Sequence, residues 1–60
     1  MIIIECSFNK NELSDCIVDA LKFSKRNKVI VKFIYDGIVL HVWPNHTKIQ
    51  IQQAFDIQKL

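Results

Sequence analysis

The stretch Val29–Trp43, VIVKFIYDGIVLHVW, decides the fold. Asp36-Gly37 separates two apolar runs, Val29 to Tyr35 and Ile38 to Trp43. A two-residue Asp-Gly loop is the strongest short-range hairpin signal, because a type I′ turn needs positive φ at both central residues. Such a loop also sets the register. Tyr35 then opposes Ile38, Phe33 opposes Leu40 and Val31 opposes Val42 on one face. On the other face Ile34 meets Val39, Lys32 meets His41 and Ile30 meets Trp43. The first set is wholly apolar and belongs in a core. The second is apolar too, save for one Lys and one His. Side chains alternate strictly across a strand, so the two sets cannot mix.

Upstream of the hairpin, Met1 to Ser7 reads as a strand, with Ile2, Ile4, Cys6 and Phe8 on one face. A helix follows. Its apolar residues Leu13, Cys16, Ile17, Ala20 and Leu21 keep the i, i+3, i+4, i+7, i+8 spacing of an amphipathic helix. Asn9 with Glu12 predicts a capping box, and Phe8 with Leu13 a hydrophobic staple. Lys22, Lys25 and Arg26 complement the negative end of the helix dipole, and Asn27 is placed to end the helix in the left-handed conformation.

Downstream, Pro44-Asn45-His46 makes a turn. The tail, Thr47 to Leu60, carries two conflicting signals. Ile49, Ile51, Phe55 and Ile57 alternate with polar residues, which favours a strand bent near Gln53-Ala54. Thr47 with Gln50 forms the capping-box pattern of a helix. The expected fold is a single small α+β domain over residues 1–60. Its antiparallel-dominated sheet carries one amphipathic helix on one face, in the order β-α-β-β-β, with β-α-β-β-α as the alternative. The first strand lies beside either the second or the third.

Composition narrows the function. Sixty residues, half of them apolar with a single Gly and a single Pro, make one ordered domain near the lower size limit for unaided folding. No segment approaches the roughly 18 to 20 apolar residues of a membrane span, and Met1 to Cys6 lacks a basic start and soon meets Glu5, unlike a secretory signal. Two cysteines are too few for a disulfide framework. A cytoplasmic location is the expectation.

Catalysis and metal binding find little support. Cys6, Cys16, His41 and His46 lack the short ligand spacings of structural zinc sites, so no metal and no other cofactor is expected. The single Gly is committed to the hairpin, leaving no phosphate-cradling loop. Glu12, Asp15 and Asp19 read as the wet side of the helix rather than as a general acid/base pair. The chain reads as a non-enzyme.

Two binding readings remain. In the favoured one, the second hairpin face is a partner-binding surface of Ile30, Lys32, Ile34, Val39, His41 and Trp43, with Met1, Ile3 and Glu5 beside it on the first strand. Monomeric proteins rarely leave a continuous apolar patch uncovered, and Trp is a frequent interface anchor. The partner is another protein, a second copy as a homodimer, or both. The abundance of Ile, Lys and Asn, residues of AT-rich codons, extends this reading to a phage or mobile-element modulator, an inhibitor or antitoxin-like protein acting on a host protein. A C-terminal helix folded across the face would instead turn it into a second core. The alternative is a small nucleic-acid-binding regulator using Lys22, Lys25, Arg26, Lys28 and Lys32 on phosphates. The mild net charge of +2 and the near absence of Arg weigh against it.

Overall fold

The computed structural model describes residues 1–9 and 11–60. The elements run β1 (Ile3–Glu5), α1 (Leu13–Asn27), β2 (Ile30–Tyr35), β3 (Ile38–Val42) and α2 (Lys48–Lys59). They form a small α+β domain, a three-stranded mixed sheet in the order β1-β2-β3 with two helices.

The hairpin forms in the expected register, Val31 with Val42, Phe33 with Leu40 and Tyr35 with Ile38. Asp36 at φ 52° and Gly37 at φ 77° supply the two positive angles of the type I′ turn. β1 lies beside β2, not β3, and runs parallel to it, Ile3 opposite Ile30 and Glu5 opposite Lys32. A parallel pair needs a crossover, and α1 is that crossover. Ile30 N–H to Ile2 O (2.8 Å) and Cys6 N–H to Lys32 O (2.9 Å) extend the pairing past both ends of this short strand.

The tail is a helix, so the order is β-α-β-β-α, and the expected fourth strand is corrected. Thr47 Oγ1 accepts from the Gln50 N–H (3.3 Å) while Gln50 Oε1 accepts from the Thr47 N–H (2.8 Å), completing the capping box. The apparent period of two counted residues that are never buried: Ile49 and Ile57 stay 68% and 70% exposed. Only Ile51, Phe55 and the half-buried Ala54 face inward, and their i, i+3, i+4 spacing is helical.

The termini of α1 also differ from expectation. No capping box forms at Asn9; the helix begins at Leu13, with Glu12 as an N-cap whose side chain makes no capping bond. A tertiary contact prevails over the local signal, since the Tyr35 hydroxyl donates to the Asn11 carbonyl (2.7 Å) and holds that segment against the sheet. Lys10, inside the expected first turn, lies outside the described residues. At the other end Asn27 remains helical, its Nδ2 donating to Phe23 O (3.0 Å), and Lys28 takes the left-handed conformation one residue later, at φ 54°.

Among the described residues one core joins all five elements. Cys16, Ile17 and Ala20 of α1, Val31 and Phe33 of β2, Leu40 and Val42 of β3, and Ile51 and Phe55 of α2 pack together, with Ile4, Cys6 and Phe8 at its margin. Phe8 meets Phe33 edge to face (5.4 Å between ring centres), and Tyr35 meets Phe55 likewise (5.8 Å). Ser24, fully buried, sits at the next position of the α1 apolar stripe. Its hydroxyl lies on the Val29 carbonyl and within 3.3 Å of the Val42 carbonyl, tying α1 to both long strands. Both helices therefore cover the same side of the sheet.

Candidate protein-binding face

The opposite side carries no covering element among the described residues. The strand registers arrange it in rows across the sheet. Ile3 of β1 and Ile30 of β2 share the first row, with Trp43 following β3 beside them. Glu5, Lys32 and His41 form the second, and Ile34 with Val39 the third. A polar row thus divides two apolar ones. Ile34 is 57% exposed, Ile3 56%, Trp43 43% and Val39 36%, and His41 is exposed as well. The C-terminal helix does not fold over this face.

Ile30 departs from the expected set. It is only 4% exposed, although it lies outside the core cluster on the helix side. Its place in the middle strand, between Ile3 in register and Trp43 beyond β3, lets neighbours on its own face shield it. Ile30 is a floor to the patch rather than a contact residue. Lys32 is half-buried, its Nζ 3.8 Å from Glu5 Oε2 directly across the β1–β2 register. With the carboxylate well exposed, this pair orders the row and adds little stability.

Trp43 is held by contacts that no pattern in the hairpin announces. Its N–H donates to His46 Nδ1 (3.0 Å), and its carbonyl accepts from the His46 N–H (3.0 Å). Lys25 Nζ, from α1, donates to the Pro44 carbonyl (3.0 Å). His46 and Lys25 are therefore positioning residues for the Trp43 backbone. A His three residues after Trp, across a Pro-Asn turn, was the available signal.

The five cations of the alternative reading do not gather in one patch. Lys22, Lys25, Arg26 and Lys28 collect at the C-terminal end of α1, where Lys22 and Arg26 line a shallow hollow with Phe8, Asp19, Phe23 and Asn27. Lys32 stands apart on the open sheet face, paired with Glu5.

Charge is segregated along the strands. α1 ends, and α2 begins, at the Trp43 end of the sheet, which therefore carries Lys25, Arg26, Lys28 and Lys48, with Lys22 a turn further up α1. The hairpin-turn end carries Asp36, Glu12 and Asp15 at the start of α1, and Asp56 in the last turns of α2. Lys59 also lies there, 3.8 Å from Asp36 and over the Phe55 ring.

Cys16 is buried and Cys6 half-buried, both toward the helix side, whereas His41 is on the open face and His46 is engaged with Trp43. Among the described residues no three His, Cys, Asp or Glu side chains converge on a point that could hold a metal ion. No described helix is long and apolar enough to cross a membrane. No protein-family model, curated protein or solved structure matches the chain.

Proposed function

We propose that this protein is a non-enzymatic protein-binding module that docks through its open sheet face. The observation that carries the reading is the position of both helices on one side, which leaves Ile3, Ile34, Val39 and Trp43 in water on the other. In a chain this small such exposure forfeits a large share of the available apolar burial. A partner's apolar surface recovers it. Trp43, with its backbone clamped by His46, enters the interface with little backbone entropy left to lose. Glu5, Lys32 and His41 set orientation, since a polar row between two apolar ones penalises a misaligned partner. The action is steric: the module modulates a bound protein by covering it, as an inhibitor or antitoxin does.

The test is binding to a purified partner by the wild type, by Ile34→Thr, and by a Lys22→Gln/Arg26→Gln/Lys28→Gln triple variant. Docking through the face predicts at least a tenfold loss for Ile34→Thr, with native circular dichroism and little change with salt. A nucleic-acid module gives the reverse. Binding then survives Ile34→Thr, falls in the triple variant, and declines by about 0.9 log unit per neutralised phosphate per decade of salt on duplex DNA.

A further inference from the structure

We infer that the free edge of β1 takes an extended, acidic segment of another protein as a fourth strand. This goes beyond docking through the open face and does not rest on it, since it concerns the edge of the sheet and the flank of α1. Three features meet there. The first is unpaired backbone. Among the described residues β1 pairs with β2 alone and is the outermost strand. Ile2 O accepts from the Ile30 N–H, and the Cys6 N–H donates to Lys32 O. Backbone groups alternate sides along a strand, so those of Ile2, Ile4 and Cys6 serve β2, while those of Ile3 and Glu5 point away from the sheet. The opposite edge is blunted, because His46 takes both the outward N–H and the outward carbonyl of Trp43.

The second is missing cover. The helix layer is set toward β3: α1 packs on β2 and β3, and α2 on β3 and α1. β1 lies at its margin. Ile2, on the helix side, is 70% exposed, and Ile3, on the other side, 56%. An added strand would cover side chains on both faces.

The third is charge on that same flank. Phe8, which follows β1, lines a shallow hollow together with Lys22, Phe23 and Arg26 of α1. Sharing the hollow with Phe8 puts both cations on the β1 side of α1, where the helix-side side chains of a fourth strand would stand. Asp19 and Asn27 complete the lining, so the cations outnumber the acid. Glu5 projects from the opposite face beside Lys32 and does not oppose an acid in the hollow. This arrangement fixes the occupant's pattern: apolar residues toward Ile3, alternating with Asp or Glu toward the hollow. A Glu there lays its methylenes on the exposed Phe23 ring and its carboxylate between Lys22 and Arg26. Backbone bonds to Ile3 and Glu5 supply affinity, and the hollow supplies specificity.

The probe is a synthetic peptide of about eight residues alternating Val and Glu, long enough to span β1, titrated into the isotope-labelled full chain and followed by NMR. With so little edge on offer, a dissociation constant on the order of 0.1–1 mM is expected, with slowed exchange of the Ile3 and Glu5 amides. A Val-Lys peptide should bind at least tenfold more weakly, as should the Val-Glu peptide N-methylated at alternate residues. Lys22→Gln/Arg26→Gln should lose the preference for Glu over Lys. Ile3→Pro deletes an outward donor that the β1–β2 ladder does not use and should weaken binding several-fold, whereas Ile3→Thr, which keeps that N–H, should weaken it less. If Ile3→Pro displaces β1, the N-methylated peptide still reads the backbone bonds. Absence of binding, equal binding of the Glu and Lys peptides, or indifference to N-methylation overturns the proposal. So do shifts confined to Ile34, Val39 and Trp43, which place the peptide on the open face. Protection of the Ile3 and Glu5 amides that grows with protein concentration alone gives the edge to a second copy and also overturns it. Tighter binding of single-stranded oligothymidylate, lost in Lys22→Gln/Arg26→Gln, assigns the hollow to nucleic acid instead.

Discussion

Successive residues of β2 live in opposite surroundings. Val31 and Phe33 are sealed beneath α1 and α2, while Lys32 and Ile34, on the same strand, face outward. Ile and Val occur on both sides, so residue type does not separate the two faces. Topology does. The β1–α1–β2 crossover places α1 on one side, and the short turn after Trp43 returns α2 to the same side, against α1 and β3. Two helices suffice to close one face of a three-stranded sheet at this length, and the second face has no covering element among the described residues. The same alternation that builds the core therefore builds a water-facing apolar surface.

Substitution at neighbouring positions breaks this contrast most sharply. Phe33→Ala removes a buried ring and its edge-to-face contact with Phe8. The expected loss is about 3–5 kcal/mol, comparable to the whole stability of a domain of this size at roughly 0.1 kcal/mol per residue. Urea or thermal unfolding followed by circular dichroism should find the variant largely unfolded at 25 °C. A cooperative transition near that of the wild type would mean that the helix-side face is not the core. The next largest effect is Ser24→Ala. It removes the hydroxyl that donates to the Val29 carbonyl and reaches toward that of Val42, at an expected loss of about 1–3 kcal/mol for a buried polar group left unpaired. Ser24→Cys, which keeps a weak donor, should fall between Ser24→Ala and the wild type.

How far these contrasts were legible in the chain depends on whether local chemistry or distant contacts decided them. The hairpin register followed from Asp36-Gly37 alone, because two positive φ angles at a two-residue loop leave one pairing. The body of α1 followed from its period. Its start did not, because Tyr35 captures the Asn11 carbonyl from 24 residues away. Ser24 occupies a position that the apolar period points to, and only its polarity hid it from a search for core residues. In α2 the capping box spoke for the helix, but a count of alternating apolar residues gave equal weight to Ile49 and Ile57, which remain in water. Composition along a short segment cannot tell a buried Ile from an exposed one. The open face was legible from the register, with the exception of Ile30, whose burial comes from side chains on its own side of the sheet.

A milder probe asks whether α2 belongs to the closed face by its own stability or by packing. Thr47→Ala deletes the hydroxyl that accepts the Gln50 N–H and disrupts the reciprocal bond, for an expected loss of about 1 kcal/mol. Because Ile51 and Phe55 stay in the core, the helix should persist while its first turn frays. Hydrogen exchange should speed up at Gln50 and Ile51 and change little at Phe55. Uniform acceleration through α2 would instead mean that the cap, rather than the two buried side chains, holds the helix in place.

The smallest effect on stability is the most informative for function. Ile34→Thr keeps a β-branched residue in the strand and changes a side chain that is 57% exposed, so the folded state should shift by less than about 0.5 kcal/mol. Association should nonetheless fall, because the substitution places a hydroxyl at the centre of the third row, where docking would have to desolvate it. The unfolding midpoint should therefore stay near that of the wild type while the dissociation constant for a protein docked on the face rises. If the midpoint falls as well, Ile34 contributes to the fold, and the two faces of the sheet are not separate in energy. If neither changes, the outward row is inert and docking through it has no support.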